Sequence, residues 1–239
     1  MKYPKVSVII PSYNRFDNLL TAIESVMNQN YENFEIIIIN DGSTDERYKE
    51  YKFNKEIKII NLKQNQKSIN GFGPGAIRNY GTDIASGKYI AFLDDDDIWL
   101  ENKLSIQIEA LESSDLQFSS TEGYFGNGTY DKTKSYSLYN KEHFFEDIKY
   151  KYRKTSYIKK GKFPDIWNED FLKIHNCVIT SSVIVERNIY EILGGFRGLP
   201  TWADYDCWLG LIKLSSIKYI DEPLFYYDDN HGNGQEYFK

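Results

Sequence analysis

A chain of 239 residues, 41% hydrophobic and 27% charged, has room for one large domain or two small ones on a shared core, and its balance is that of a folded globular protein. The formal charge of -6 argues against a nucleic-acid partner, which calls for a basic stripe that releases counterions from phosphates. The longest apolar runs, such as Val6–Ile10 and Ile36–Ile39, fall far short of the roughly 18 residues of a membrane span; peripheral membrane association and a homodimer are left open. Met1-Lys-Tyr-Pro-Lys5 enters a strand-like run at once, leaving no room for a signal peptide, so a cytoplasmic location is the expectation. Cys177 and Cys207 have no metal or redox spacing and read as buried small hydrophobes.

In chain order, Val6–Ile10 predicts a buried strand, and Leu19, Leu20, Ile23, Val26 and Met27 recur at helical spacing behind it. A second strand, Phe34–Ile39, stops at Asn40-Asp-Gly-Ser43, whose short polar residues suit a tight turn and a helix cap. Ile57–Leu62 is a third strand; a helix starts at Pro74, where a missing N–H costs nothing, and runs to about Ala85 before Gly87. Lys88–Leu93 is the fourth strand, followed by an acidic cluster and a helix with Leu104, Ile108 and Leu111 on one face. This alternation predicts an α/β fold: one domain with a mainly parallel sheet flanked by helices and ligands at the carboxyl ends of the strands. From about Glu122 to Lys173 periodicity is weak and Tyr, Lys and Gly abound, the pattern of an insertion. Beyond it come a strand over Cys177–Val185, a short helix closed by Gly194-Gly195, a helix from about Ala203 to Leu214, and strands near Ile217 and Leu224.

The chemistry gathers at strand ends. Asp94-Asp-Asp-Asp97 follows Tyr89–Leu93 directly, and carboxylates crowded there either raise one another's pKa or recruit Mg²⁺ or Mn²⁺, which would also neutralise a diphosphate. The alternative is a solvated acidic turn capping the next helix. Asp41, ending the second strand, either accepts from a base or ribose or makes a plain Asx turn. Pro11-Ser-Tyr-Asn14 ends the first strand and brings Tyr13 to the same edge, for stacking or packing. Gly71-Phe-Gly-Pro-Gly-Ala76 matches the dinucleotide fingerprint only nominally, because Lys63 to Asn70 separates it from the preceding strand. It reads instead as a loop into a helix whose Arg78 faces phosphates or pairs with a carboxylate. Thr201 and Asp204 have capping-box spacing, so Asp204 is a helix cap or a general base kept ionised by the helix dipole.

Together these segments resemble the family 2 inverting glycosyltransferases of the GT-A fold, through Val6–Asn14, Asn40–Asp45, Ala76–Asn79, Ala85–Ile90, Phe92–Asp97, Gly194–Phe196, Asp204–Trp208 and Tyr226–His231. The resemblance implies a nucleotide-sugar donor, UDP-sugar in preference, and a glycan, lipid-linked or protein acceptor. It assigns residues 1–115 to the donor half and 116–239 to the acceptor half, with a variable insertion at about 122–173. By position it implies that Pro11, Tyr13 and Asp41 hold the nucleotide base, that Arg78 lies near the donor, and that Asp94 or Asp95 binds the ribose. Asp96 would coordinate the metal, with His231 as a further ligand or a solvated loop histidine. Asp204 matches the family's general base, while Ala203 stands where the family usually has glutamate. A sugar-1-phosphate nucleotidyltransferase is the alternative from another enzyme class. It would need a glycine-rich basic loop after the first strand, which Pro11–Asn14 does not supply. A nucleotide-sugar-binding module without catalysis is the third reading.

Overall fold

The computed structural model describes residues 3–54, 56–158 and 161–231. The first half alternates as the periodicity predicts: β1 (Val6–Ser12), α1 (Phe16–Met27), β2 (Phe34–Asn40), α2 (Arg47–Glu50), β3 (Ile57–Asn61), α3 (Gln66–Asn70), α4 (Pro74–Thr82) and β4 (Tyr89–Phe92). Next come β5 (Ile98–Trp99), α5 (Lys103–Glu112), β6 (Phe118–Gly126) and β7 (Ser137–Leu138), then α6 (Phe145–Tyr152), β8 (Ile166–Trp167) and α7 (Glu169–Leu172). The chain continues through β9 (Ile184–Glu186), α8 (Arg187–Leu193), α9 (Ala203–Leu211) and β10 (Ile217–Asp228).

Among the described residues the strands form one sheet in the order β3-β2-β1-β4-β9-β6-β10-β5, with β7 on β6 and β8 on β10. β1, β2, β3 and β4 run parallel, so the ends of β1, β2 and β4 share one edge. β9 is antiparallel to both β4 and β6, and β6 and β10 are parallel to each other. Their apolar runs are continuous because helices cover both faces. Ile9, Ile37 and Ile39 pack in one core with Phe196 and Trp208, whereas Val8, Ile10, Ile36 and Ile38 pack in the other with Leu19, Val26 and Leu104. Each such side chain contributes about 1.5–3 kcal/mol by leaving water.

The structure departs from the sequence pattern mainly in the second half. The stretch after Phe118 contains β6, a strand inside the sheet, although its Ser119, Ser120, Thr121 and Glu122 are buried. Ser119, Ser120 and Glu122 find partners instead of water, while the Thr121 hydroxyl is buried without one. Ser119 Oγ accepts from Gln107 Nε2 at 2.9 Å, and the Ser120 and Ser182 hydroxyls meet at 2.7 Å. Glu122 accepts from the backbone N–H groups of Gly123, Asn140 and Lys141, at 2.9, 3.0 and 3.2 Å, and from the Tyr219 hydroxyl at 3.1 Å. That carboxylate fastens the π-helical turn Tyr139–His143 to the sheet. Farther along, Trp167, Phe171 and Leu172 join the larger core, so the segment of weak periodicity is built into the fold at both ends.

Of the expected Cys177–Val185 strand only Ile184 and Val185 lie in β9, which ends at Glu186; Thr180–Ser182 forms a 3₁₀ turn. There the Ser181 and Ser182 carbonyls accept from Trp99 Nε1 and Gln107 Nε2, at 2.8 and 2.9 Å, in place of a strand partner. The strands near Ile217 and Leu224 are one strand, β10, with register shifts on either side of Pro223. Both cysteines are buried and free.

Replacing Glu122 by alanine strands several buried N–H and O–H donors, and a loss of about 3 kcal/mol is expected from urea unfolding. A change below about 0.5 kcal/mol would show that the Glu122 network adds nothing to the fold.

Candidate active site

A cavity of about 1430 Å³ opens at the carboxyl edge of the parallel strands. Pro11, Arg15, Arg78 and Asp94–Asp96 line one part of it, Asn176 and Trp202–Tyr205 another, and Tyr227 and His231 also border it. The expected site residues Pro11, Arg78, Asp94, Asp95, Asp96, Asp204 and His231 therefore meet around one space. Tyr13 and Asp41 are not among its lining residues. Asp41 is fully buried, its Oδ1 accepting from the Gln66 N–H at 2.9 Å and its Oδ2 from Asn65 Nδ2 at 2.7 Å. Gly42, at φ 72, lies so close to this loop that a Cβ would stand 2.5 Å from the Gln64 carbonyl carbon. The Asn40–Ser43 turn caps no helix; Asn40 Oδ1 accepts from the Ser43 N–H at 2.9 Å.

The acidic cluster is held by two guanidinium groups. Arg15, just past β1, pairs with Asp95 and with Asp96, the latter at 2.8 Å, and donates to the His231 carbonyl at 3.0 Å. Arg78 of α4 is 3% exposed, pairs with Asp94 and lies over the Phe196 ring at 5.5 Å. It is a buried, paired arginine that also faces the cavity. Asp96 is approached from the far side by His231 Nδ1 at 3.3 Å. Asp97 turns inward, where its Oδ1 accepts from the Asp228 N–H at 3.1 Å.

Charge balance differs at each carboxyl. Burial pushes Asp95 up to about 7 against the pull of Arg15, with Asp96 adding to the rise. Burial and the neighbouring Asp96 and Asp94 push Asp97 well above the carboxylate range. Burial also works to raise Asp96, yet hydrogen bonding from His231 and the charge of Arg15 outweigh it and hold Asp96 low. His231 is raised in return, chiefly by Asp96.

Asp204 lies on the first turn of α9, but the capping box does not form. Trp202 is the N-cap residue, at φ 60, and no side chain caps the helix. The carboxylate faces the cavity and takes one long hydrogen bond, from Asn176 Nδ2 at 3.4 Å. Asp206, two residues on, points elsewhere and pairs with Arg197, whose Nε donates at 2.7 Å. Ala203 packs on α4, since a Cβ built on Gly75 would come within 2.5 Å of its methyl. Sequence reasoning overlooked Arg15, Asn176 and Trp202. A legible signal existed for Arg15, an arginine three residues past a strand that ends on the same edge as four aspartates.

Removing the guanidinium in Arg15→Ala leaves Asp95 without its cation and Asp96 with His231 alone, and a loss of roughly 3 kcal/mol is expected at pH 8. The folded-state pKa of Asp95 is raised, so its ionisation destabilises the fold as pH climbs through about 7. The deficit of the variant should therefore shrink between pH 8 and pH 5.5, read as melting temperature against pH. An equal deficit at both values would mean that Arg15 does not act by charge balance.

Residues 7–187 match the sequence model of Glycosyl transferase family 2. An uncharacterized glycosyltransferase of Rickettsia felis is 47% identical over 228 residues, spanning 92% of this chain and 32% of that protein. The Escherichia coli UDP-Glc:alpha-D-GlcNAc-diphosphoundecaprenol beta-1,3-glucosyltransferase WfaP is 40% identical over 119 residues, 50% of this chain and 46% of its own length. The chain thus spans less than half of either relative. In structure it superposes on S. aureus TarS 1-349 in complex with UDP-GlcNAc with a TM-score of 0.69 at 17% identity, covering 96% of this chain and 61% of that one. The chain belongs to glycosyl transferase family 2, and its curled α/β sheet with flanking helices is the GT-A fold.

Proposed function

We propose that the protein is an inverting, divalent-metal-dependent transferase that moves a sugar from a UDP-sugar to a hydroxyl of a lipid-linked sugar acceptor. The observation that carries this reading is the single cavity bordered both by the Asp94–Asp96 cluster with its arginines and by Asp204, a carboxylate unused by its own helix. The donor and acceptor choices draw on WfaP and WfgD of E. coli, both named as UDP-glucose-dependent enzymes acting on GlcNAc-diphosphoundecaprenol.

In this scheme the acceptor hydroxyl passes its proton to the Asp204 carboxylate, which Asn176 orients, while its oxygen attacks the anomeric carbon. The bond to the diphosphate breaks with its electron pair leaving on the diphosphate, and attack from the opposite face inverts the centre. Arg15 and Arg78 supply cationic donors to the diphosphate oxygens, competing with their present carboxylate partners. Among the described residues no three acidic, histidine or cysteine side chains converge as a ready ligand set. Asp96 and His231, 3.3 Å apart, offer one oxygen and one nitrogen donor. Mg²⁺ or Mn²⁺ sites completed by substrate phosphates need no more than one or two protein ligands. When bound, the ion would stabilise charge on the departing diphosphate as a Lewis acid. Pro11 and Asp94 or Asp95 remain assigned to the nucleotide and ribose. Tyr13 remains assigned to the base, and Asp41 would reach it only if the Asn65–Gln66 loop shifts, because Asp41 is engaged there. The nucleotidyltransferase reading gains no support, since β1 runs into Ser12 and Arg15 without a glycine-rich loop.

Two measurements test this. Calorimetric titration of UDP with Mn²⁺ present should show affinity falling by about tenfold or more in Asp96→Ala; equal affinity with and without the ion, or in the variant, would remove the metal from the scheme. For the base, Asp204→Asn should lower sugar transfer by about 10² to 10⁴ while UDP-sugar affinity stays near wild type. Asp206→Asn, which only releases Arg197, should leave transfer within a factor of about three. The reverse ranking would move the base to Asp206.

A further inference from the structure

Trp202 is exposed where an aromatic ring is costly to leave in water. It is 70% exposed, whereas Trp99, Trp167 and Trp208 are 2%, 0% and 0% exposed. Its backbone is also left-handed, at φ 60, a region that disfavours any residue with a bulky Cβ substituent. The exposed ring adds little to the packing of α9, and the conformation of this N-cap residue does not arise from a loose loop. The Gly73 N–H donates to the Leu199 carbonyl at 2.9 Å, and the Trp202 carbonyl accepts from the Asp206 N–H at 3.0 Å. A Cβ on Gly73 would lie 2.8 Å from the Pro200 carbonyl oxygen, and one on Gly198 2.5 Å from the Phe72 ring. The backbone on both sides of Trp202 is thus pinned against the start of α4. The indole borders the large cavity two residues before Asp204. An exposed aromatic held in an unfavourable conformation beside a cavity is the mark of a ligand contact.

We propose that the Trp202 indole is the platform for the acceptor sugar, taking a pyranose of gluco configuration on its face. Such a ring carries its hydroxyls equatorially and its C–H bonds axially, so each face is apolar and slightly positive, and it matches the negative face of the indole. The hydroxyls then project sideways from the stacked ring, toward the neighbouring Asp204. Ala203 gives no competing polar contact from the intervening position, because its methyl is buried against Gly75. This assignment rests on the transferase reading above and adds to it the residue that seats the accepted sugar.

The other three tryptophans are buried, so acrylamide quenching of tryptophan emission reports Trp202. With UDP and Mn²⁺ present, methyl glucoside and methyl N-acetylglucosaminide at tens of millimolar should protect the emission. Methyl galactoside and methyl mannoside, which each carry an axial hydroxyl, should protect it less, and protection should vanish in Trp202→Ala. Trp202→Gly, whose glycine accepts the left-handed backbone without strain, should keep or raise the melting temperature while losing protection. If UDP binds but no glycoside protects the wild type, or if Trp202→Gly lowers the melting temperature by several degrees, the ring is a structural element and the inference is overturned. If UDP and UDP-sugars fail to bind at all, the transferase reading itself falls, and this inference with it.

Discussion

Repulsion among Asp94, Asp95, Asp96 and Asp97 is the constraint around which the rest of the molecule is arranged. Four carboxylates in succession after a buried strand cannot all ionise in a low-dielectric setting without counter-charge. The fold meets this in three ways. Asp97 turns into the interior, where its pKa is driven up; Asp94 takes Arg78 from α4; and Asp95 and Asp96 share Arg15 from the end of β1. Since β1 and β4 are adjacent parallel strands, their carboxyl ends bring Arg15 and the aspartates together by topology alone. In the proposed reaction, a diphosphate and a divalent ion entering as a nearly neutral pair would exchange partners with this network rather than add charge to it.

A second network, made of neutral polar groups, lies behind the acidic loop. Gln107 of α5 donates to Ser119 of β6 and to the Ser182 carbonyl, and Trp99 donates to the Ser181 carbonyl. Ser181 Oγ in turn accepts from the Asp94 N–H at 3.1 Å. The acidic loop is thereby tied through side chains to the centre of the sheet. Such buried networks are useful only when every member is satisfied, and each of these links is short.

The part of the cavity around Asp204 is arranged differently. Its floor comes from α9 and the Ile174–Asn176 segment. Tyr205 donates to the Leu172 carbonyl at 2.7 Å and Asn176 reaches Asp204, so α9 and the end of the poorly periodic segment form one unit. The segment from 122 to 173 therefore joins structural and site-lining roles: β6 and Trp167 are core, while Tyr139, Asn140 and Phe144 border the cavity.

The sequence by itself determined the parallel half of the fold. Isoleucine runs covered on both faces, Pro74 opening α4 and Gly194 closing α8 at φ 85 are local signals, and local physics realises them. It also marked Asp94–Asp97 and Asp204 as candidates, because carboxylates at strand ends and helix starts need a reason to be there. What only the tertiary structure decided was where buried polar residues go. β6 carries no hydrophobic alternation, since Ser119, Ser120 and Glu122 are buried through partners distant in sequence. The same holds for the Thr201–Asp204 pair, whose capping spacing is overridden by the left-handed Trp202. Arg15 had only its place after a strand end to mark it, and Trp202 had no signal at all, for a related reason. A single arginine or tryptophan has no period, and its meaning lies in which charges or cavities the folded chain sets beside it.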